Sequence, residues 1–143
     1  MYTTAAAERL RVVADHLAPQ PEARKTTGAM SGAPLTSHVL DTANGRPARG
    51  LLITFFRKRQ DDWVCIKSSE TNADGRCSGF LRRDDFTADI YKMRFDTADY
   101  FHRMGQRSFY PYVEIVFEVL QPEQHYHVPL ILSRFGYSTY RGS

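Results

Sequence analysis

Two of the chain's five histidines stand one residue apart in the run His125-Tyr126-His127-Val128-Pro129-Leu130-Ile131-Leu132-Ser133. An extended chain turns alternate side chains to opposite faces. Val128, Leu130 and Leu132 therefore share one face, and His125, His127, Pro129, Ile131 and Ser133 share the other. The first is a core face. The second carries Pro129 and Ile131 and is too apolar to lie open to water, so the strand needs cover on both sides. In a chain this small the second cover is most simply another subunit, which predicts a homo-oligomer with His127 in its interface. An imidazole there is suited to proton transfer, because its ordinary pKa of about 6.5 lies close to physiological pH. A structural histidine bonded to backbone satisfies the same pattern. So does a metal ligand: His125-x-His127 is a spacing that zinc sites use, with His38 or Asp41 as a third donor, although no cysteine pair or second such histidine pair accompanies it.

His38 lies in Leu35-Thr36-Ser37-His38-Val39-Leu40-Asp41, and Arg76 follows the turn signal Asp74-Gly75. Taken alone, these read as a strand histidine and a solvated arginine. The last residues, Tyr137-Ser138-Thr139-Tyr140-Arg141-Gly142-Ser143, combine strand formers with hydroxyls and predict an end that is tied down. Ser143 is not a nucleophile of the serine-protease type, since no Gly-x-Ser-x-Gly elbow or Ser–His–Asp arrangement is legible.

The elements that must position these residues are mostly strands. Leu35–Asp41 is closed by Asn44-Gly45 and Pro47. Residues 50–59 are rich in β-formers, and residues 63–71 and 88–95 alternate. Residues 112–120 alternate most cleanly, with Val113, Ile115, Phe117 and Val119 on one face and Glu114 and Glu118 on the other. Residues 125–133 and 137–141 complete the set. Residues 96–104 read as the single helix of the domain, with Asp96 or Thr97 as its N-cap and Gly105 as its stop. Short strands separated by turns, with one helix, predict an all-β antiparallel sandwich.

The composition shifts near residue 34. Leu10, Val13 and Leu17 recur at helical spacing in residues 1–17, and prolines and glycines mark residues 18–33 as a flexible linker. The 143 residues thus divide into an N-terminal extension, 1–34, and one domain, 35–143. A hydrophobic share of 42% and a charged share of 24% are those of a soluble domain. No apolar run approaches the roughly 20 residues of a membrane span, and no secretory signal is legible. The net charge of +3 comes from scattered basic residues without a Lys/Arg stripe, which argues against a nucleic-acid partner. Cys65 and Cys77 are too few for a disulfide framework and fit a reducing setting.

Leu35–Asp41 with Gly45-Arg46-Pro47-Ala48, then Thr71-Asn72-Ala73-Asp74-Gly75-Arg76, the run from His125 to Ser133, and the ending from Tyr137 to Ser143 together resemble the 5-hydroxyisourate hydrolase family. That family is the enzymatic branch of the transthyretin-like proteins. The resemblance covers residues 35–143, and the terminal Tyr-Arg-Gly-Ser with the two histidine motifs is its most specific part. Transthyretin, the hormone carrier, lacks that ending and both histidines. The resemblance implies a transthyretin-like sandwich of two four-stranded antiparallel sheets with one short helix, assembled as a homotetramer. Paired edge strands would extend the sheets across a dimer, and two dimers would meet around a channel lined by the second face of the His127 strand. It also implies an active site of His38, Arg76, His127 and Ser143, with Tyr140, Arg141 and Gly142 binding substrate, and neither cofactor nor metal.

The implied reaction is hydrolysis of a small planar oxidised purine, 5-hydroxyisourate, between N1 and C6. The product is 2-oxo-4-hydroxy-4-carboxy-5-ureidoimidazoline, in urate catabolism. His127, with His38, would activate water. A fixed donor would stabilise charge on the carbonyl oxygen. Arg76 would grip the flat purine edge with its planar fork, and Ser143 and Tyr140 would close the pocket. Which histidine is the base stays open. Arg134 stands where the family usually has Pro, in a turn beside the site, and is not expected to abolish activity. In the extension, Arg9-Leu10 and His16-Leu17 are separated by five residues and resemble the type-2 peroxisomal targeting nonapeptide, read by an import receptor. This predicts a peroxisomal location, with the cytoplasm as the alternative if the match is chance. Three other classes compete. A carrier of a small aromatic ligand would bury His38, Arg76 and His127 at a cost. A zinc-dependent cyclic-amide hydrolase is tested by metal analysis. A secreted adhesin is disfavoured by the missing secretion signal.

Overall fold

The computed structural model describes residues 32–143. The expected helix of residues 1–17, most of the linker, and Arg9, Leu10, His16 and Leu17 lie outside the described residues. Along the described chain run β1 (Leu35–Asp41), β2 (Arg46–Pro47), β3 (Leu52–Arg59), β4 (Asp62–Glu70) and β5 (Arg76–Cys77). A single 3-10 turn at Arg83–Asp85 follows, and then β6 (Asp89–Phe95), α1 (Thr97–His102), β7 (Val113–Val119), β8 (Tyr126–Leu132) and β9 (Tyr137–Thr139).

Alternation turns these strands into two sheets with one core between them. One sheet runs β2–β1–β8–β9, with β5 also paired to β1; the other runs β4–β3–β6–β7. In β6, Tyr91, Met93 and Phe95 are buried, while Lys92 and Arg94 between them are not. The inward residues of β3, Ile53 and Phe55, join Leu35, Val39, Val128 and Leu130 of the other sheet in that core. Phe55 stacks on Tyr91 with ring centroids 5.2 Å apart. Truncating an aromatic of this kind to alanine costs about 3–5 kcal/mol.

The sandwich and its one short helix match the expectation. One ladder has a direction that alternation does not record. β1 and β8 pair parallel, from Leu35 opposite Tyr126 to Asp41 opposite Leu132, across 91 positions of sequence. A parallel pair needs a long crossover, and here the whole second sheet supplies it. In β8, Tyr126, Val128, Leu130 and Leu132 are buried on the core side; on the outer side Pro129 is buried within the chain, while His127 and Ile131 are only half-buried.

The helix is shorter than residues 96–104. Asp96 sits at the N-cap position without capping; its carboxylate instead accepts from Arg94 Nε at 3.2 Å. Gly105 ends the element with φ of +69°, a conformation glycine adopts without strain. α1 is held by buried Tyr100 and Phe101. Tyr100 donates its hydroxyl to the carboxylate of Asp41 at 2.7 Å, and that carboxylate also accepts from Asn44 N at 3.0 Å and Asn44 Nδ2 at 2.7 Å. One buried acid thereby fastens the end of β1 to the helix.

Candidate active site

Buried Leu35, Ser37 and Val39 fix the inward side of β1, so Thr36 and His38 turn outward. His38 stands opposite Arg76 of β5 and Pro129 of β8, while Thr36 stands opposite His127. Opposed residues share a face. His38, Arg76 and His127 therefore project from the outer face of three adjacent strands. Strand and residue spacings separate the Cα atoms of His38 and His127 by roughly 8 Å.

Arg76 reaches this face through the turn before it. Gly75 has φ of +73°, and a Cβ there would stand 2.4 Å from the carbonyl oxygen of Val39, so only glycine lets the turn press against β1. Val39 N donates to Gly75 O at 2.8 Å, and Asn72 Oδ1 accepts from the amides of Asp74 and Arg76 at 2.9 and 3.0 Å. Arg76 is exposed, and its guanidinium pairs with no carboxylate among the described residues. It leaves a positive charge on the face that carries His38.

The end of the chain returns to the same place. β9 pairs with β8 from Leu130 to Leu132, and Gly142 then forms a bridge with His127, its amide donating to His127 O at 2.9 Å. A Cβ on Gly142 would lie 2.5 Å from His127 Cδ2. Bare backbone thus packs against the imidazole, and the end is tied down as expected, with Ser143 one residue beyond. Tyr140 lies two residues before the bridge, and burial pushes its phenol pKa up, so it stays a protonated donor at neutral pH. Arg141 is held elsewhere. Its guanidinium lies 4.4 Å over the ring of Tyr126, an inward residue of β8, and Nη2 donates to Gln124 Oε1 at 2.9 Å. Its charge sits in a groove of about 570 Å³ between β7 and the C-terminal segment, lined in part by Ile115, Phe117, His127 and Tyr140. His127 stands where that groove meets the outer face.

Two residues without an expected catalytic role join His127. Thr36 Oγ1 lies 2.7 Å from His127 Nδ1 and 3.1 Å from His125 Nε2, and the two imidazoles stack with centroids 6.4 Å apart. Thr36 shares the face of His38 by period two, but a threonine in a strand reads as an ordinary β-former. The zinc reading loses one of its third donors, because Asp41 is buried on the inward side, bonded to Tyr100 and Asn44. Among the described residues no three His, Cys, Asp or Glu side chains group to hold a metal ion. The arrangement offers imidazoles to exchange a proton, a guanidinium for a planar polar edge, and a phenol donor.

Residues 35–142 match the HIUase/Transthyretin family. The 5-hydroxyisourate hydrolase of Mus musculus is 48% identical over 117 residues, covering 80% of this chain and 99% of that protein. The 5-hydroxyisourate hydrolase 2 of Rhizobium meliloti is 45% identical over 114 residues, covering 76% and 95%. Transthyretin from Sparus aurata superposes with a TM-score of 0.72 at 32% identity, over 77% of this chain and 97% of that one. (S)-allantoin synthase superposes at 0.70 with 37% identity, over 76% of this chain and 43% of that one. By sequence over three quarters of its length, and by fold, this chain belongs to the HIUase/transthyretin family.

Proposed function

We propose that the chain is an enzyme that hydrolyses 5-hydroxyisourate, opening the ring between N1 and C6 to give 2-oxo-4-hydroxy-4-carboxy-5-ureidoimidazoline. The observation that carries the reading is the shared outer face of His38, Arg76 and His127, closed at one side by the Gly142 bridge. Relatives that bear this hydrolase name and are spanned nearly end to end by the alignment support the substrate. His127, with His38, takes the proton of the attacking water. Arg76 grips the planar purine through paired N–H donors. Tyr140 and Ser143 close the pocket and donate to substrate or water, beside the backbone of Gly142; Arg141 holds the tail against Tyr126. Neither cofactor nor metal takes part.

The working unit is a homotetramer in which the outer face of the β8 sheet lines a channel. Its support is Ile131, an apolar residue left partly exposed on that face beside His127. The enzyme is delivered to the peroxisome by Arg9, Leu10, His16 and Leu17, a reading that rests on their spacing alone.

The test is direct. 5-Hydroxyisourate is generated from urate with uricase, and its ultraviolet decay is followed with and without the chain. Faster decay with the chain is expected; decay equal to the control sinks the proposal. For delivery, residues 1–34 are fused to a fluorescent protein: punctate peroxisomal signal is expected, and a diffuse one assigns the enzyme to the cytoplasm.

A further inference from the structure

Thr36 stands opposite His127 in the parallel β1–β8 ladder, and its hydroxyl falls between the imidazoles of His125 and His127. The direction of each hydrogen bond in this group follows from its far end. His125 Nδ1 lies 2.9 Å from the carbonyl oxygen of Ala33. A carbonyl only accepts, so Nδ1 carries a proton, and in the neutral ring Nε2 is an acceptor. That Nε2 lies 3.1 Å from Thr36 Oγ1. A threonine hydroxyl has one proton, and it goes to His125. What Thr36 then presents to His127 Nδ1, 2.7 Å away, is a lone pair. His127 Nδ1 must therefore be the donor, and the lone pair of its neutral ring sits on Nε2.

We infer that Ala33 O, His125 and Thr36 form a relay that sets the tautomer of His127, with the proton at Nδ1 and the basic lone pair at Nε2. This rests on the reading of His127 as the base that activates water, and it names the atom that does so. Thr36 and His125 are positioning residues that act through His127 and touch no substrate. When Nε2 takes the proton of water, Nδ1–H keeps its bond to the Thr36 oxygen, so the ring is held in one orientation in both charge states. The logic is that of any catalytic imidazole whose second nitrogen is held by an orienting group. Here the orienting group is a neutral hydroxyl whose direction is imposed by a second histidine. Period two places all three side chains on one face, since residue 36 is opposite residue 127 and residue 125 lies on the same strand side.

The test reads the tautomer and the rate separately. In the full-length chain labelled with 15N in histidine only, two-bond proton–nitrogen correlations distinguish Nδ1–H from Nε2–H rings. His127 is expected as Nδ1–H, and finding it as Nε2–H in the native chain overturns the relay whatever the activity. Thr36→Val should shift the His127 ring toward a mixture of tautomers. It should also lower kcat roughly 10- to 100-fold with KM within about twofold, less than the 10⁴ that follows when a charged orienting group is lost. Thr36→Ser, which keeps the hydroxyl, should restore both the tautomer and most of the rate. His125→Ala should weaken the Nδ1–H preference by freeing the hydroxyl of Thr36. Thr36→Val with an unchanged kcat, or Thr36→Ser as slow as Thr36→Val, overturns the proposal. If the native chain does not hydrolyse 5-hydroxyisourate, the functional reading fails while the spectrum still decides the relay.

Discussion

At the scale of single residues, the imidazole of His127 carries the largest expected effect. His127→Asn removes a base while keeping a polar side chain of similar length, so turnover should fall by roughly 10²–10⁴-fold. Steady-state decay of 5-hydroxyisourate measures this, and an unchanged rate removes His127 from the mechanism. The Gly142 bridge makes a second, steric prediction. A methyl group on Gly142 would meet His127 Cδ2 at 2.5 Å, so either the ring or the tail must move. Misplacement of this order costs roughly 10–100-fold in rate. Because Gly142 lies outside the core, the melting temperature of Gly142→Ala should stay within a few degrees of the parent (calorimetry decides). Metal removal is the complementary test. The nitrogens of His125 are committed to Ala33 and Thr36, and Nδ1 of His127 is committed to Thr36. Treatment with EDTA should therefore leave activity intact, and a loss restored by zinc would instead favour the metal reading.

At the scale of elements, the turn before β5 and the helix after β6 decide whether the face is built at all. Gly75→Ala forces a side chain into a left-handed backbone and onto Val39 O at 2.4 Å. It should destabilise the domain by roughly 2 kcal/mol or more, read as a lower urea midpoint; an unmoved midpoint would show that the turn does not brace β1. The contact of Tyr100 with Asp41 gives a pH signature. Burial, and then the neighbouring carboxylate, hold the Tyr100 phenol well above its ordinary value of 10.0. A group raised on folding contributes stability that is fully present below its unfolded value and is lost as pH climbs past it. The parent should lose stability from about pH 10 upward, and Tyr100→Phe should lose less over the same range. The elements also show how far the residues spoke for themselves. β7 was legible because Val113, Ile115 and Val119 alternate with Glu114, Val116 and Glu118, and β8 was legible as a strand with two apolar faces. The parallel direction of β1 against β8 was not, since alternation is the same either way. The two-residue strands β2 and β5 were not legible either, because they exist only through contact with β1. Of the site, His127 stood out by type and strand face, whereas His38 and Arg76 read alone as a strand histidine and a solvated arginine and were named only through the family resemblance; Thr36 was not legible, because its role depends on a register partner 91 positions away.

At the scale of the whole molecule, the apolar surface left on one protomer is the strongest argument for assembly. Leu120 is 72% exposed and Val116 57%, and these residues lie in or directly after the edge strand β7; Phe109, 71% exposed, lies instead against the turn between β8 and β9, its amide donating to Arg134 O. An open edge with apolar residues along it favours pairing with another copy. The outer face of the other sheet poses a separate problem, because Ile131 stands there on the same strand as His127 and pairs with Leu40 across the ladder. If a second dimer covers that face, a charge on Ile131 must be desolvated without a partner, which costs several kcal/mol. Ile131→Glu should then separate the assembly at that one contact. Light scattering after gel filtration should give four times the 16.4 kDa chain mass for the parent and twice for the variant. Far-ultraviolet circular dichroism should not change, because Ile131 points away from the core. Activity should fall with the tetramer, since the channel wall facing His38, Arg76 and His127 is lost with the second dimer. A variant that remains a tetramer, or a dimer with full activity, would show that the outer face works without a partner across it.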